Sequence, residues 1–191
     1  MERIDYNRIV TTETIVDALT NREFIGFEQD YYVIHSLVKG WKPKSIFEIG
    51  TNTGFGCQVM KRASPGSTIK TLDILPGMGN LCPDDVEKIV GDSLTYDFTR
   101  NYPIDCWFID GAHDYEHAYH ETSEALKSGA HYIIYHDADL KPVADGLRQA
   151  FKDSGEDSSY ELFFVVNPPF TYSSTGENVT RVAYAVKKIK R

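Results

Sequence analysis

The stretch that decides the fold is Phe47-Glu48-Ile49-Gly50-Thr51-Asn52-Thr53-Gly54-Phe55-Gly56. It follows an apolar run, Ser45–Ile49, that is typical of a buried strand. Glycines after a strand let the backbone approach a ligand that side chains would block, and a helix is predicted to follow them. The spacing differs from the G-x-G-x-x-G of dinucleotide sites. We therefore predict a strand, a ligand-binding glycine turn (residues 50–56) and a helix, and we disfavour an NAD-dependent oxidoreductase.

Apolar runs and helical patterns alternate along the chain on both sides of this stretch. The other predicted strands are Thr68–Ile74, Val86–Val90, Ile104–Ile109 and His131–Tyr135. The clearest helical pattern is Asp114–Lys127, and Gly129 is a natural stop for it. Such alternation predicts parallel strands joined by right-handed crossovers, with ligands beyond the carboxyl ends of the strands.

The two ends of the chain have different patterns. Tyr160–Val166 and Val179–Lys188 are β-rich runs joined by a loop with two prolines, which predicts an antiparallel hairpin. Residues 1–42 carry a helical pattern and are expected to form a cap over one end of the sheet. We expect one domain over residues 1–191, with residues 43–191 as its Rossmann-like α/β core.

Composition narrows the classes of partner and compartment. The 191-residue chain has a formal net charge of −8, which disfavours a nucleic-acid partner. The first residues lack the layout of a secretion signal, and no apolar run approaches the ~20 residues that span a bilayer. The three cysteines are widely spaced and indicate neither a disulfide framework nor a zinc site. A cytoplasmic protein without a membrane partner is expected.

The glycine turn and the next two strand ends resemble the class I S-adenosylmethionine-dependent methyltransferases. Motif I of that family, E-x-G-x-x-x-G, matches Glu48 to Gly54. The resemblance implies a mostly parallel sheet with a C-terminal antiparallel hairpin. It also implies that Asp73 binds the ribose hydroxyls and that Asp92 and Ser93 border the adenine. The implied cofactor-binding residues are Glu48, Gly50, Thr51, Asn52, Gly54, Asp73, Asp92, Ser93 and Asp110. One departure is the short segment after Asp73, where we expect a loop in place of the usual helix.

Two further strand ends carry residues that ligate metals. Asp110 and His113 follow one strand, and His136 and Asp137 follow the next. Two carboxylates at one sheet edge can hold a divalent cation, which would lower the pKa of a substrate hydroxyl and align its oxygen for methyl transfer. This region resembles the small-molecule O-methyltransferases of the macrocin and mycinamicin type (methyltransferase domain 24-like). The resemblance implies that Asp110 and Asp137 are metal ligands and that Asp110 and His113 are catalytic, with His113 as the base.

Several assignments stay open at this stage. His136 occupies a position where the family pattern has a carboxylate, and as a ligand it would shift the preference from Mg²⁺ toward Mn²⁺, Fe²⁺ or Zn²⁺. If the strand continued through residue 137, Asp137 and Asp139 would share a side instead. Asp110 and Asp137 are also compatible with simple capping roles. His117, His120 and Glu124 share a helix face with His113, which we interpret as a solvated face.

The sequence thus predicts a methyltransferase that methylates an oxygen of a small hydroxylated molecule, with S-adenosylmethionine and a divalent cation (Mg²⁺ or Mn²⁺). One alternative is a non-catalytic S-adenosylmethionine-binding protein of the same fold. Another is an amino-group methyltransferase acting on nucleic acid or protein, because Asn167-Pro168-Pro169-Phe170 matches the motif of that class. Aromatic residues that could line an acceptor pocket, or simply belong to the core, are Phe24, Phe27, Tyr31, Tyr32, Trp41 and Phe170. A homo-oligomer is compatible with the resemblance.

Overall fold

The computed structural model of the chain describes residues 1–10, 28–166 and 179–188. Two groups of residues singled out in the sequence lie outside this part: Phe24 with Phe27, and the 167–170 motif Asn-Pro-Pro-Phe, which includes Phe170. The helices of the described part are too short or too polar to cross a bilayer.

The described residues form a three-layer α/β structure. In chain order its elements are β1 (Glu2–Asp5), a 3-10 turn (Tyr6–Arg8), α1 (Glu28–Trp41), β2 (Ser45–Ile49), α2 (Phe55–Ala63), β3 (Thr68–Asp73), β4 (Glu87–Val90), a 3-10 turn (Phe98–Asn101), β5 (Cys106–Ile109), α3 (Tyr115–Lys127), β6 (Tyr132–Tyr135), α4 (Lys141–Ser154), a 3-10 turn (Glu156–Ser158), β7 (Tyr160–Val166) and β8 (Val179–Lys187).

One sheet contains all eight of these strands, in the order β1-β7-β8-β6-β5-β2-β3-β4. Strands β4, β3, β2, β5 and β6 pair in parallel. Strand β8 is antiparallel to both of its neighbours, β6 and β7. The predicted Rossmann-like sheet with a C-terminal antiparallel hairpin is therefore confirmed.

Apolar side chains on both faces of the central strands explain the layering. All four residues of β5 are buried, and they alternate between two cores. Phe108 packs in the core that includes Val33 of α1 and Met60 of α2. Trp107 packs in the opposite core, with residues such as Leu126 of α3 and Leu147 of α4. Strands buried on both faces read as continuous apolar runs, which is why the sequence reveals them clearly.

The predicted elements differ from the structure mainly at their ends. The five internal strands begin or end within two residues of their predicted bounds, and Asp114 is the N-cap of α3 instead of its first residue. Residues 74–86 contain no helix, as expected. Strand β1 was not predicted: it pairs in parallel with β7 at the edge of the sheet, and its exposed residues lack an apolar pattern. The division into a helical cap and a core at residue 42 stays a prediction.

Candidate functional site

A cavity of about 630 Å³ opens at the carboxyl ends of β2, β3, β4 and β5. Its walls are the glycine turn, the residues that follow these strands, the start of α3 and Tyr31 of α1. The cavity-lining residues that carry the argument below are Tyr31, Glu48, Asn52, Phe55, Asp73, Asp92, Ser93, Asp110, His113 and His117. This is the edge of a parallel sheet at which ligands are expected to bind.

The glycine turn is fastened on both sides. The Gly50 N–H donates to the Leu72 carbonyl at 2.9 Å, and the Asp110 N–H donates to the Ile49 carbonyl at 2.9 Å. Gly50 has a φ of +93°, and a β-carbon at this position would lie 2.0 Å from the Asp110 carbonyl oxygen. No residue other than glycine fits there without a shift of the backbone. The close approach joins the glycine turn directly to the strand end that carries Asp110.

Glu48 lies buried below the turn. Its Oε2 accepts hydrogen bonds from the Cys57 thiol at 2.7 Å and from the Thr71 hydroxyl at 2.5 Å. Burial raises the pKa of Glu48 to about 7, even though these two hydrogen bonds act to lower it. The carboxyl group thus supports the base of the cavity while its side chain is almost fully shielded from water.

The wall at the ends of β3 and β4 is held by carboxylates that accept from backbone amides. Asp73 accepts from the N–H groups of Asn52 and Leu75, each at 2.9 Å. Asp92 accepts from the Leu94 N–H at 2.9 Å. These hydrogen bonds fix both acidic side chains at the rim of the cavity. The residues predicted to recognise ribose and adenine therefore line the same cavity as the glycine turn.

Ser93 is backed by a buried acid. Its hydroxyl donates to Oε1 of Glu121 at 2.6 Å, and Glu121 is fully buried. Burial raises the pKa of Glu121 to about 8, while the Ser93 hydrogen bond acts in the opposite direction. Sequence reasoning missed Glu121 because it lies within the apolar stripe of α3, where a charged residue was not expected to reach the site.

Asp110, His113 and Asp137 form an Asp-His-Asp cluster at the other end of the cavity. One ligand atom from each lies within 4.8 Å of the others. Nε2 of His113 is 2.8 Å from Oδ2 of Asp137 and 3.8 Å from Oδ1 of Asp110. Three side chains from two neighbouring strand ends therefore converge, as the sequence predicted for this edge.

His136 lies between acidic groups on both sides of its ring. Nδ1 is 3.1 Å from Asp110 and 3.0 Å from Asp137, and Nε2 is 3.3 Å from Oδ2 of Asp30. Burial acts to lower the pKa of His136, but the charges and hydrogen bonds of Asp110 and Asp30 outweigh it and raise this pKa to about 9. Burial conversely acts to raise the pKa of Asp110, and His136 and His113 outweigh it, so this pKa is lowered. The three carboxylates around the ring thus favour its protonated form.

Arg181 of β8 supplies an internal cation. Its guanidinium contacts Asp137, and its Nε lies 4.0 Å from Oδ1 of Asp139. The backbone N–H of Arg181 also donates to Oδ1 of Asp30 at 3.2 Å. Sequence reasoning missed both Arg181 and Asp30, although a charged residue between the apolar residues of β8 was a usable signal.

The structure answers one of the open questions, whether β6 continues through residue 137. Strand β6 ends at Tyr135 and Asp137 has a φ of +51°, so strand alternation does not govern residues 136–139. Asp139 faces Arg181 and is not part of the Asp-His-Asp cluster. His136 contacts both predicted ligands, and its own role as a ligand stays a prediction.

Two predicted surfaces are arranged differently from the expectation. His117 was assigned to a solvated helix face, but it lines the cavity. Among the aromatic residues, Tyr31 lines the cavity and packs edge-on against Phe55, with 4.5 Å between ring centroids. Trp41 instead stacks on Tyr132 at 4.4 Å in the core behind the sheet. Of the described residues in the N-terminal aromatic group, Tyr31 therefore lines the cavity and Trp41 does not.

No family model and no curated protein sequence matches the chain. Solved structures with the same fold include an O-methyltransferase from Bacillus cereus in complex with SAH, with 20% identity, a TM-score of 0.65, and coverage of 94% of this chain and 93% of that one. Another is the O-methyltransferase TomG from Streptomyces achromogenes, involved in tomaymycin synthesis and solved with SAM, with 18% identity, a TM-score of 0.64, and coverage of 95% and 92%.

The fold also matches the MycE methyltransferase from the mycinamycin biosynthetic pathway, solved with Mg, SAH and mycinamycin VI. The identity is 16% and the TM-score 0.60, over 97% of this chain and 55% of that chain. At these identities the likeness concerns the fold. The chain has the fold of class I O-methyltransferases, as its sequence resemblance predicted.

Proposed function

We propose that the chain is an S-adenosylmethionine-dependent methyltransferase that methylates an oxygen of a small hydroxylated molecule with the help of a divalent cation. The observation that carries this proposal is that the glycine turn lines one cavity together with Asp110 and His113, two members of the Asp-His-Asp cluster. A cofactor held at the glycine turn would lie against the groups that activate an acceptor. The relatives in fold, which were solved with SAM or SAH, support this proposal.

The cofactor fits the cavity in size and in the kind of groups that line it. A volume of about 630 Å³ lies within the usual range for cofactor sites. Residues 50–54 would hold the methionine part, Asp73 the ribose, and Asp92 with Ser93 the adenine. S-adenosylmethionine supplies a methyl group on a positively charged sulfur, so the protein needs mainly to bind and align the two reactants.

The Asp-His-Asp cluster also fits a divalent cation. The carboxylates of Asp110 and Asp137 offer oxygen ligands, and a neutral His136 ring, whose Nδ1 lies 3.1 Å and 3.0 Å from them, would add a nitrogen ligand that favours Mn²⁺, Fe²⁺ or Zn²⁺ over Mg²⁺. Asp110 and Asp137 would be its ligands, and His136 stays a proposed third. When bound, such a cation supplies a positive charge that makes a substrate hydroxyl more acidic. Arg181 and His136 already compensate part of the acidic charge, which predicts modest metal affinity.

His113 is the proposed base. Nε2 of His113 lies 2.8 Å from Oδ2 of Asp137, and this contact orients the ring. The His113 side chain is 45% exposed, so it can reach an acceptor that enters from solvent. Tyr31 and Phe55 line the same cavity and pack against each other, which suits an acceptor with an apolar body and a hydroxyl group.

Two other functions remain as contrasts. A protein that binds the cofactor without catalysis would not need the buried network around Asp110, Asp137 and Arg181, which removes several charges from water. An amino-group methyltransferase would use the 167–170 motif, which lies outside the described residues and in a later part of the chain than in that class. The net charge of −8 also disfavours nucleic acid as its substrate.

The first test is calorimetric titration of S-adenosylmethionine, SAH and NAD into metal-stripped protein, repeated with Mg²⁺ and Mn²⁺. Saturable binding of the first two and not of NAD is expected. Formation of SAH is then followed with a panel of small phenols, catechols and hydroxylated glycosides. Cofactor binding without turnover on any compound, with or without metal, would favour the non-catalytic alternative.

A variant at His113 separates its two conceivable roles. As a base, His113→Asn should reduce turnover strongly and leave Mn²⁺ affinity nearly unchanged. As a third ligand, the same substitution should weaken Mn²⁺ binding by about 10- to 100-fold. Mn²⁺ titration followed by electron paramagnetic resonance measures this affinity without an acceptor.

A further inference from the structure

His117 lines the cavity but has no role in the function proposed above. We propose that His117 determines cofactor specificity by accepting a hydrogen bond from the amino group of the adenine ring. This inference rests on the proposed function, because it assumes that S-adenosylmethionine or SAH binds in the cavity. It assigns a task to a residue that the Asp-His-Asp cluster does not use.

The His117 ring is fixed by Asp114. Oδ2 of Asp114 lies 2.8 Å from Nδ1 of His117, and Oδ1 of Asp114 accepts from the His117 backbone N–H at 3.0 Å. A carboxylate can only accept, so Nδ1 carries the ring proton. In the neutral ring Nε2 is then an acceptor. Asp114 thus sets the orientation of the His117 ring and makes Nε2 of the neutral ring a hydrogen-bond acceptor.

The second acceptor is Asp92. Nε2 of His117 is 4.0 Å from Oδ1 of Asp92, and both residues line the cavity. Two acceptors side by side favour a group that donates two hydrogen bonds, and they disfavour a group that only accepts. An exocyclic amino group has two N–H bonds, whereas a ring carbonyl has none. The wall therefore selects a 6-amino purine over a 6-oxo purine.

This wall is separate from the groups proposed for catalysis. The shortest ring contacts of His113 are with Asp137 and Asp110, whereas those of His117 are with Asp114 and Asp92. Substitution of His117 should therefore change which purine the cavity prefers, without changing the Asp-His-Asp cluster. That separation makes a binding test possible.

The test compares SAH with S-inosylhomocysteine, which has a carbonyl oxygen in place of the adenine amino group. Both are titrated calorimetrically into the wild-type protein, His117→Phe, Asp92→Asn and the control His120→Phe. His120 is on the same helix and is not among the cavity-lining residues. Circular dichroism checks that each variant is folded.

The wild type should bind SAH on the order of tenfold more tightly than S-inosylhomocysteine, because the oxo compound cannot donate to these two partly exposed acceptors. His117→Phe should reduce this ratio about tenfold, chiefly through weaker SAH binding. Asp92→Asn should reduce it further, because its amide can donate to the carbonyl. His120→Phe should behave as the wild type.

Two results would overturn the inference while leaving the proposed function intact. One is a wild-type ratio near one, as expected if His117 is protonated and paired with Asp92. The other is an unchanged ratio in folded His117→Phe. Absence of binding by both compounds to the wild type would instead contradict the proposed function, and this inference with it.

Discussion

The two ends of the cavity are built in different ways. At the glycine turn and Asp73, the contacts are backbone hydrogen bonds between neighbouring strand ends, such as Asn52 to Asp73 at 2.9 Å. At the Asp-His-Asp cluster, side chains are held by other side chains from distant parts of the chain. The side chains of Asp30, on α1, and His136, after β6, for example, lie 3.3 Å apart. The first end depends on local chain geometry and the second on charge balance across the whole fold.

The largest expected effect is on metal binding at the charge-dependent end. Asp110→Asn should weaken Mn²⁺ binding by at least about 100-fold, because it removes a ligand and an acceptor of His136. SAH affinity should change at most a few-fold, since the glycine turn is untouched. Titrations of both ligands measure this contrast. Asp145→Asn on the surface of α4 is the matched control, and a loss of SAH binding in Asp110→Asn would show that the two ends are not independent.

A second variant breaks the geometry-dependent end. Gly50→Ala should lower the free energy of unfolding by about 2–4 kcal/mol and weaken SAH binding strongly, because its β-carbon would meet the Asp110 carbonyl in a backbone region with positive φ. Urea denaturation and calorimetry measure the two effects. Gly40→Ala is the control, because a β-carbon there meets nothing within 4 Å. Equal behaviour of the two variants would contradict this account of the turn.

The third expected effect is confined to high pH and concerns the buried acid behind Ser93. The pKa of Glu121 is raised from 4.5 to about 8 by burial, so its contribution to stability is lost as pH rises between these values. Glu121→Gln should remove that loss and raise the free energy of unfolding by about 2–4 kcal/mol near pH 9, with little change near pH 5. Urea unfolding of wild type and variant at both pH values measures it.

Glu124→Gln is the matched control for this pH effect. Glu124 lies on the same helix, and its carboxylate contacts Lys127 and the Tyr102 hydroxyl near the surface. A similar gain near pH 9 in both variants would point to the net charge of the protein and not to the buried environment of Glu121.

The contrast between the two ends also explains what the sequence could predict. Strands β2 and β5 are continuous apolar runs that end in glycine or aspartate, so their positions and the residues beyond them follow from local patterns. The loop after Asp73 follows from its prolines and glycines. Strand β1 carries no such pattern, because it is a short edge strand whose outer residues are exposed.

Residues that reach the site through packing between distant elements could not be predicted from local sequence patterns. Asp30, Glu121 and Arg181 reach the site only because α1, α3 and β8 pack around it, and no spacing in the sequence brings them together. His117 was assigned to solvent because helix periodicity defines a face but not what lies opposite that face. The metal ligands, the identity of the base and a cytoplasmic location stay predictions.

The position of β8 has a consequence for how the protein is made. This strand is the last of the described elements in chain order, yet it lies between β6 and β7 and carries Arg181 to Asp137. Strands β2 to β6 and the acidic residues that follow them are therefore synthesised before β8, which carries the positively charged Arg181. Strand β1 precedes the other described strands in chain order, but its partner β7 is connected to the central strands through β8, which comes last among them. Until β8 has been synthesised, the edge of β6 lacks the neighbour with which it pairs in the folded protein.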